Sequence, residues 1–219
     1  MQKSIIYLLS PLKKEETVSL PMIRFSLIDK PIDFSNCDTL MFTSKQAVVS
    51  ADKLDKSWKN YSSIAIGKAT KQIIEELGGT VLYTPKEFYG EVLAKDIQKN
   101  FSDKKLLYLR PKVVSFDSKA YLSNAGIQLN EQVIYETSCV KYSKEDKPKE
   151  NAIIIFTSPS TIKCFFENFD WNNSYTAILI GKATQEHLPK ECSFEVANEP
   201  LIDSCIEKAL EIEKNRVDS

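Results

Sequence analysis

The strongest constraint on what this chain can fold into is a string that occurs twice. Phe42-Thr43-Ser44 followed by Ile64-Ala65-Ile66-Gly67-Lys68-Ala69-Thr70 returns as Phe156-Thr157-Ser158 followed by Ile178-Leu179-Ile180-Gly181-Lys182-Ala183-Thr184. The offset is a constant 114 residues, with no gap between the blocks. Ten of the 29 positions aligned over 42–70 and 156–184 are identical, among them Tyr61/Tyr175, Ile64/Ile178 and Ile66/Ile180. Two motifs that keep one spacing in both copies mark a repeated structural unit. A period this long implies two similar domains rather than a solenoid, and 219 residues suffice for two small ones.

The segments around the repeat fix the class. Residues 39–42 read as a strand running into Ser44, a good N-cap, with a helix over Lys45–Lys53. Residues 63–66 are a second strand, 68–77 a helix closed by Gly78-Gly79, and 80–83 a third strand. An amphipathic helix over 90–100, a strand over 106–109 and a helix over 116–124 ending at Gly126 continue the alternation. The second copy repeats it with strand 152–156, Pro159 at the first helical position, strand 176–180 and a last helix over 201–214. Short apolar strands alternating with helices predict parallel sheets with helices on both faces. Residues 4–9 read as a buried first strand, and 12–20 as one or two helical turns between Pro11 and Pro21. Two alternating extended stretches, 23–28 and 132–139, bracket the first copy, so the chain leaves one domain and returns to it. The expected layout is a discontinuous domain (1–22 with 140–219), an inserted domain (29–131) and two linker strands.

Composition narrows the function. The net charge of −1 supplies no basic field for nucleic acid, so any anion site is local. Five cysteines without a CxxC pair and a single histidine, His187, make no zinc constellation and read as reduced thiols. The apolar run 5–9 is too short for a signal peptide or a membrane span, which gives a cytoplasmic protein. GxGxxG, GxxxxGK[ST], GxSxG and HExxH do not occur.

In a parallel sheet the loops after the strands lie at the carboxyl edge, where ligands bind. Both copies of FTS and of GKAT fall there, each placing backbone N–H groups at a helix N-terminus. Ser44 and Ser158 either cap their helices or donate to a ligand carboxylate. Gly67 and Gly181 either make a tight turn or let the backbone approach a ligand. Lys68 and Lys182 either meet carboxylates or stay solvated, and Thr70 and Thr184 either donate to a ligand or bond back within the first helical turn.

FTS at 42–44, FTSPS at 156–160, GKAT at 67–70 and 181–184, and Val133-Ile134-Tyr135-Glu136-Thr137 between them resemble the uroporphyrinogen-III synthase family. The likeness spans nearly the whole chain. It implies two α/β domains joined by a two-stranded β-ladder. It also implies a cofactor-free reaction in which linear hydroxymethylbilane loses water, ring D inverts through a spiro intermediate, and the macrocycle closes as uroporphyrinogen III. The substrate carries eight carboxylates, held in a cleft between the domains by main-chain amides and hydroxyls. By position, the family's polar residues fall on Ser44, Thr70, Ser158, Thr184 and the linker Tyr135.

Two loops depart from the family pattern. Ser10-Pro11 stands where many members have an arginine, and Leu109-Arg110-Pro111-Lys112 lacks a glycine-rich turn. The expectation is therefore a cytoplasmic enzyme of tetrapyrrole (haem) biosynthesis, with Tyr135 catalytic and the serine, glycine, lysine and threonine residues of the two loops binding substrate. Nothing in the sequence calls for a metal, a cofactor, nucleic acid, a membrane or more than a monomer. The rival is a non-catalytic two-domain module that binds an anionic small molecule through the same loops.

Overall fold

The computed structural model describes residues 3–87 and 89–217. Its elements alternate as follows: β1 (Ile6–Leu8), β2 (Val18–Ser19), β3 (Ile23–Leu27), β4 (Thr39–Phe42), α1 (Lys45–Leu54), β5 (Ser62–Ala65), α2 (Lys68–Glu76), β6 (Thr80–Tyr83), α3 (Gly90–Asn100), β7 (Leu106–Pro111), α4 (Ser118–Asn124), β8 (Leu129–Cys139), β9 (Ile153–Phe156), α5 (Pro159–Asn168), β10 (Thr176–Leu179), α6 (Lys182–Gln185), β11 (Phe194–Val196) and α7 (Ile202–Val217). The chain divides into two compact units, a terminal one (Met1–Arg24 with Ser138–Ser219) and an inserted one (Phe25–Thr137). Strands β3 and β8 each pass from one unit to the other.

The two sheets are built alike. The terminal unit orders its strands β11-β10-β9-β1-β2, all parallel. The inserted unit orders them β6-β5-β4-β7-β8, again parallel, with β3 added at the β8 edge. Strand β3 runs against β8: the Ile28 N–H donates to the Ile134 carbonyl, and the Val140 N–H to that of Met22, so one number rises as the other falls. Central strands β4 and β9 occupy the same place in each sheet. Met41 pairs with Ile64 as Ile155 pairs with Ile178, which preserves the offset of 114 in the register.

Burial explains why these runs are strands. Every residue of β4 and of β9 is buried, because helices cover both faces of a parallel sheet. In the inserted unit, Leu40, Phe42, Leu107 and Leu109 pack on one face with Trp58 and Ile74, while Met41, Leu106 and Tyr108 pack on the other with Leu93, Ile97 and Leu122. Helices α2 and α4 both end in a left-handed glycine, Gly78 (φ +87°) and Gly126 (φ +75°). In each case the glycine N–H and the next N–H return to the last turn: Gly78 to Glu75 and Gly79 to Ile74, Gly126 to Ser123 and Ile127 to Leu122.

Two sequence expectations are corrected. Residues 12–20 contain no helix. Val18 and Ser19 instead pair with Tyr7 and Leu8 as the edge strand β2, and the Leu20 N–H donates to the Leu8 carbonyl at 3.0 Å. A stretch bracketed by Pro11 and Pro21 has little room for a helix, and an open sheet edge captures Val18, the second of its two β-branched residues after Thr17. The thiols are not all reduced either: Cys139 at the end of β8 forms a disulfide with Cys164 in α5, leaving Cys37, Cys192 and Cys205 free.

Closing a loop with a sequence separation of 25 stabilises the terminal unit by about 3.5 kcal/mol in the chain-entropy account. Thiol titration of protein denatured without reductant should therefore count the three free cysteines, and reductant should lower the denaturant midpoint. Cys139→Ser should make that midpoint insensitive to reductant. Five reactive thiols in unreduced protein would mean that the pair is open.

Candidate active site

Each central strand delivers its last residues to the carboxyl edge of its sheet. The Ile66 N–H donates to the Phe42 carbonyl at 3.0 Å, and its repeat counterpart Ile180 donates to Phe156 at 3.1 Å. Within each unit, FTS and GKAT thus leave the sheet side by side.

In the inserted unit the FTS loop is held by side chains. Ser44 caps α1, its Oγ accepting from the Ala47 N–H at 3.1 Å. The same oxygen lies 2.9 Å from the Tyr135 phenol, in a hydrogen bond that either hydroxyl can donate. Tyr135 is only 4% exposed, its ring packed in the apolar cluster with Phe42, Leu109 and Ile134 and met edge-on by Phe25 at 5.8 Å. Burial pushes its pKa above the ordinary phenol value, against the opposing effect of the Ser44 hydrogen bond, so it stays protonated at neutral pH.

The terminal unit builds its copy differently. Ser158 caps α5 through a reciprocal box: its Oγ accepts from the Thr161 N–H, and Thr161 Oγ1 accepts from the Ser158 N–H. Thr161 Oγ1 also donates back to the Ser158 carbonyl at 2.7 Å. No phenol reaches Ser158 among the described residues.

The GKAT loops are alike in both units. Thr70 and Thr184 each occupy the third helical position and are 4% and 3% exposed. Unlike Thr161, neither hydroxyl bonds back into its own turn among the described residues. Neither hydroxyl is among the buried side-chain atoms that lack a partner, so each keeps a solvent-accessible oxygen on an otherwise buried residue. Gly67 (φ −167°) and Gly181 (φ 175°) are extended, so no left-handed turn requires glycine there. A Cβ on Gly181 would meet nothing within 4 Å, so packing does not require glycine there either. Lys68 and Lys182 are exposed at the first helical positions, where among the described residues they form no ion pair.

Comparison with known proteins matches these loops to a family. Residues 11–207 match the family described as Uroporphyrinogen-III synthase HemD. The chain belongs to the uroporphyrinogen-III synthase family. Among solved structures it is similar to the uroporphyrinogen-III synthetase of Helicobacter pylori, with 28% identity, a TM-score of 0.76, and coverage of 95% of this chain and 99% of that one. A mutant uroporphyrinogen III synthase from Thermus thermophilus shares the fold at 10% identity and a TM-score of 0.59, covering 97% and 99% of the two chains. None of the curated proteins compared matches. Both of these solved structures are matched over almost their whole length.

The loops that depart from the family pattern make contacts of their own. Ser10 is buried and its Oγ accepts from the Leu12 N–H at 3.2 Å. Arg110 sits 3.3 Å from Glu131, too poorly aligned for a hydrogen bond from its Nε, and donates to the Pro111 carbonyl through Nη1. Lys112 pairs with Glu136 at 3.0 Å. His187 is exposed. Tyr108, which the sequence offers only as one more strand residue, places its phenol 2.6 Å from Thr43 Oγ1. Its signal was a hydroxyl-bearing ring in an otherwise aliphatic run.

Burial pushes the Tyr108 pKa up to about 12, opposed by the hydrogen bond with Thr43. The unfolded chain deprotonates near its ordinary value while the folded one keeps its proton. The associated stability is therefore complete below about pH 10 and is lost as pH rises from there toward 12. A shift of this size corresponds to roughly 2–3 kcal/mol. The denaturant midpoint should fall between pH 9 and pH 11, and fall less in Tyr108→Phe; equal falls in the two proteins would refute the assignment.

Proposed function

We propose that this protein is uroporphyrinogen-III synthase, a cyclising hydro-lyase that converts hydroxymethylbilane to uroporphyrinogen III with inversion of ring D. The observation that carries the reading is the Tyr135 phenol held 2.9 Å from the cap hydroxyl of Ser44 at the carboxyl edge of its sheet. The reaction begins with departure of the substrate hydroxyl as water, which needs a proton or a strong hydrogen bond at that oxygen. When Ser44 donates to Tyr135 Oη, the phenol proton is left free to point at the leaving group. A phenol kept neutral by burial carries that proton throughout the physiological range.

Binding falls to the helix N-termini. Substrate carboxylates suit the backbone N–H groups of the FTS and GKAT loops, the proton that Ser158 keeps free while its Oγ caps α5, and the unbonded hydroxyls of Thr70 and Thr184. Gly67 and Gly181 admit the carboxylates closely, and Lys68 and Lys182 add charge from the rim. The substrate is a linear tetrapyrrole, and the enzyme works as a cytoplasmic monomer without cofactor. Among the described residues no helix is long and apolar enough to cross a membrane.

Purified protein given hydroxymethylbilane should turn the product from the spontaneous type I isomer to type III. A protein that binds the substrate yet leaves the isomer ratio unchanged is a binding module. Tyr135→Phe should lower turnover by a factor of roughly 10²–10⁴ if the phenol protonates the leaving group. A loss below about tenfold with an unchanged melting temperature would reduce Tyr135 to an orienting role.

Thr70→Val and Thr184→Val keep the side-chain shape and delete the hydroxyl. Each should weaken product binding by about 1.5–3 kcal/mol, the value of a hydrogen bond to a charged group, without unfolding the protein. Parent-like affinity in both variants would remove the GKAT threonines from the site.

A further inference from the structure

The repeat allows one copy of the FTS loop to be used as an internal control for the other. In the inserted unit the loop is gripped from both faces of the sheet. Tyr135, packed with Phe42 and Leu109 on one face, bonds Ser44. Tyr108, packed with Met41 and Leu122 on the opposite face, bonds the preceding residue, Thr43, at 2.6 Å. Successive residues of an extended segment point to opposite faces, so two phenols on two faces can hold neighbouring hydroxyls at once. Tyr108 is 2% exposed and, among the described residues, is the one aromatic buried in its cluster, Tyr83 and Tyr121 packing there only partly buried.

The terminal unit lacks this grip. Tyr108 pairs in register with Met41, and the strand pairing equivalent to it joins Leu8 with Ile155. A buried leucine thus stands where the inserted unit has its second phenol, and Thr157 has no side-chain hydrogen bond among the described residues. The two sheets share strand order and register here, although α4, whose Leu122 packs with Tyr108, has no counterpart between β1 and β2; the sheet itself does not demand the Tyr108 hydroxyl. A buried hydroxyl is costly unless bonded, and the aliphatic alternative is already in use in the same protein.

We infer that Tyr108 is a positioning residue of the inserted unit, which fixes Thr43 so that Ser44 holds the Tyr135 phenol in its working orientation. The two FTS loops then differ in role: that of the inserted unit carries the chemistry, and that of the terminal unit only binds. This inference rests on the proposed synthase reading. Isomer selection by the parent protein tests that reading alone, whereas the variants below are compared with an active parent.

The experiment is a double-mutant cycle on the full chain, with turnover normalised to folded protein. Tyr108→Phe should lower kcat by about tenfold, the scale of one lost hydrogen bond, with KM within twofold of the parent. In the Tyr135→Phe background the same substitution should cost nothing further, because the group it positions is gone. Thr43→Val removes the same bond from its other end and should match Tyr108→Phe, while Thr43→Ser keeps the hydroxyl and should restore turnover. A Tyr108→Phe enzyme with parental kcat overturns the inference, as does a double variant whose losses multiply. Thr43→Ser behaving like Thr43→Val would overturn it as well. If Tyr108→Phe does not fold, the threonine pair decides the matter.

Discussion

Burial of the central strands on both faces is the constraint from which the rest of this protein follows. Strands β4 and β9 present almost no side chain to water, so they are built of Thr-Leu-Met-Phe and Ile-Ile-Ile-Phe and have little place for polar chemistry. Polar groups are displaced to the strand ends, where the chain must turn into a helix whose first N–H groups lack partners. Capping those groups and binding an anion are the same physical problem, solved by the same residue types. That is why Ser44 and Ser158 serve as caps and still stand at the candidate site.

Much of this was legible in the sequence because it is local. Gly78-Gly79 and Gly126 close their helices for a conformational reason that glycine announces, and the Ser44 and Ser158 caps are readable from one residue and its followers. Tertiary pairing was harder to see. Val18-Ser19 is too short to declare itself a strand and becomes one only because β1 offers an edge. Cys139 and Cys164 are joined by the packing of α5 against the end of β8; an odd count of cysteines without CxxC spacing carries no trace of that. The Tyr108–Thr43 bond is of the same kind, since it joins residues 65 positions apart.

The two GKAT loops keep one geometry in both units, while the FTS loops diverge. Thr70 and Thr184 share a helical position, burial and an unbonded hydroxyl, whereas Ser44 and Ser158 differ in every partner beyond the capped N–H. A duplicated element under one demand keeps its geometry. Where the demands on the two copies differ, the cap can be completed by whatever lies near: a threonine three residues on in α5, a phenol from β8 in α1. The preserved register of β4 with β5 and of β9 with β10 shows that such exchange costs the sheet nothing.

The physical chemistry of Tyr135 sets how the proposed reaction divides its labour. A phenol pushed above its ordinary pKa by burial is poorly matched to full proton transfer near neutrality, where the best general acid has a pKa close to the working pH. The Ser44 hydrogen bond lowers that pKa but is outweighed by burial. What burial does supply is a fixed ring and a hydroxyl whose direction Ser44 sets. Since the linear substrate closes unaided to the wrong isomer, the enzyme must favour one geometry over another, and each tenfold of preference needs about 1.4 kcal/mol. One carboxylate held by a hydroxyl at a helix N-terminus is worth about that much. Several such contacts therefore suffice to select the inverted ring by orientation alone, with the phenol easing departure of the hydroxyl once the chain is held.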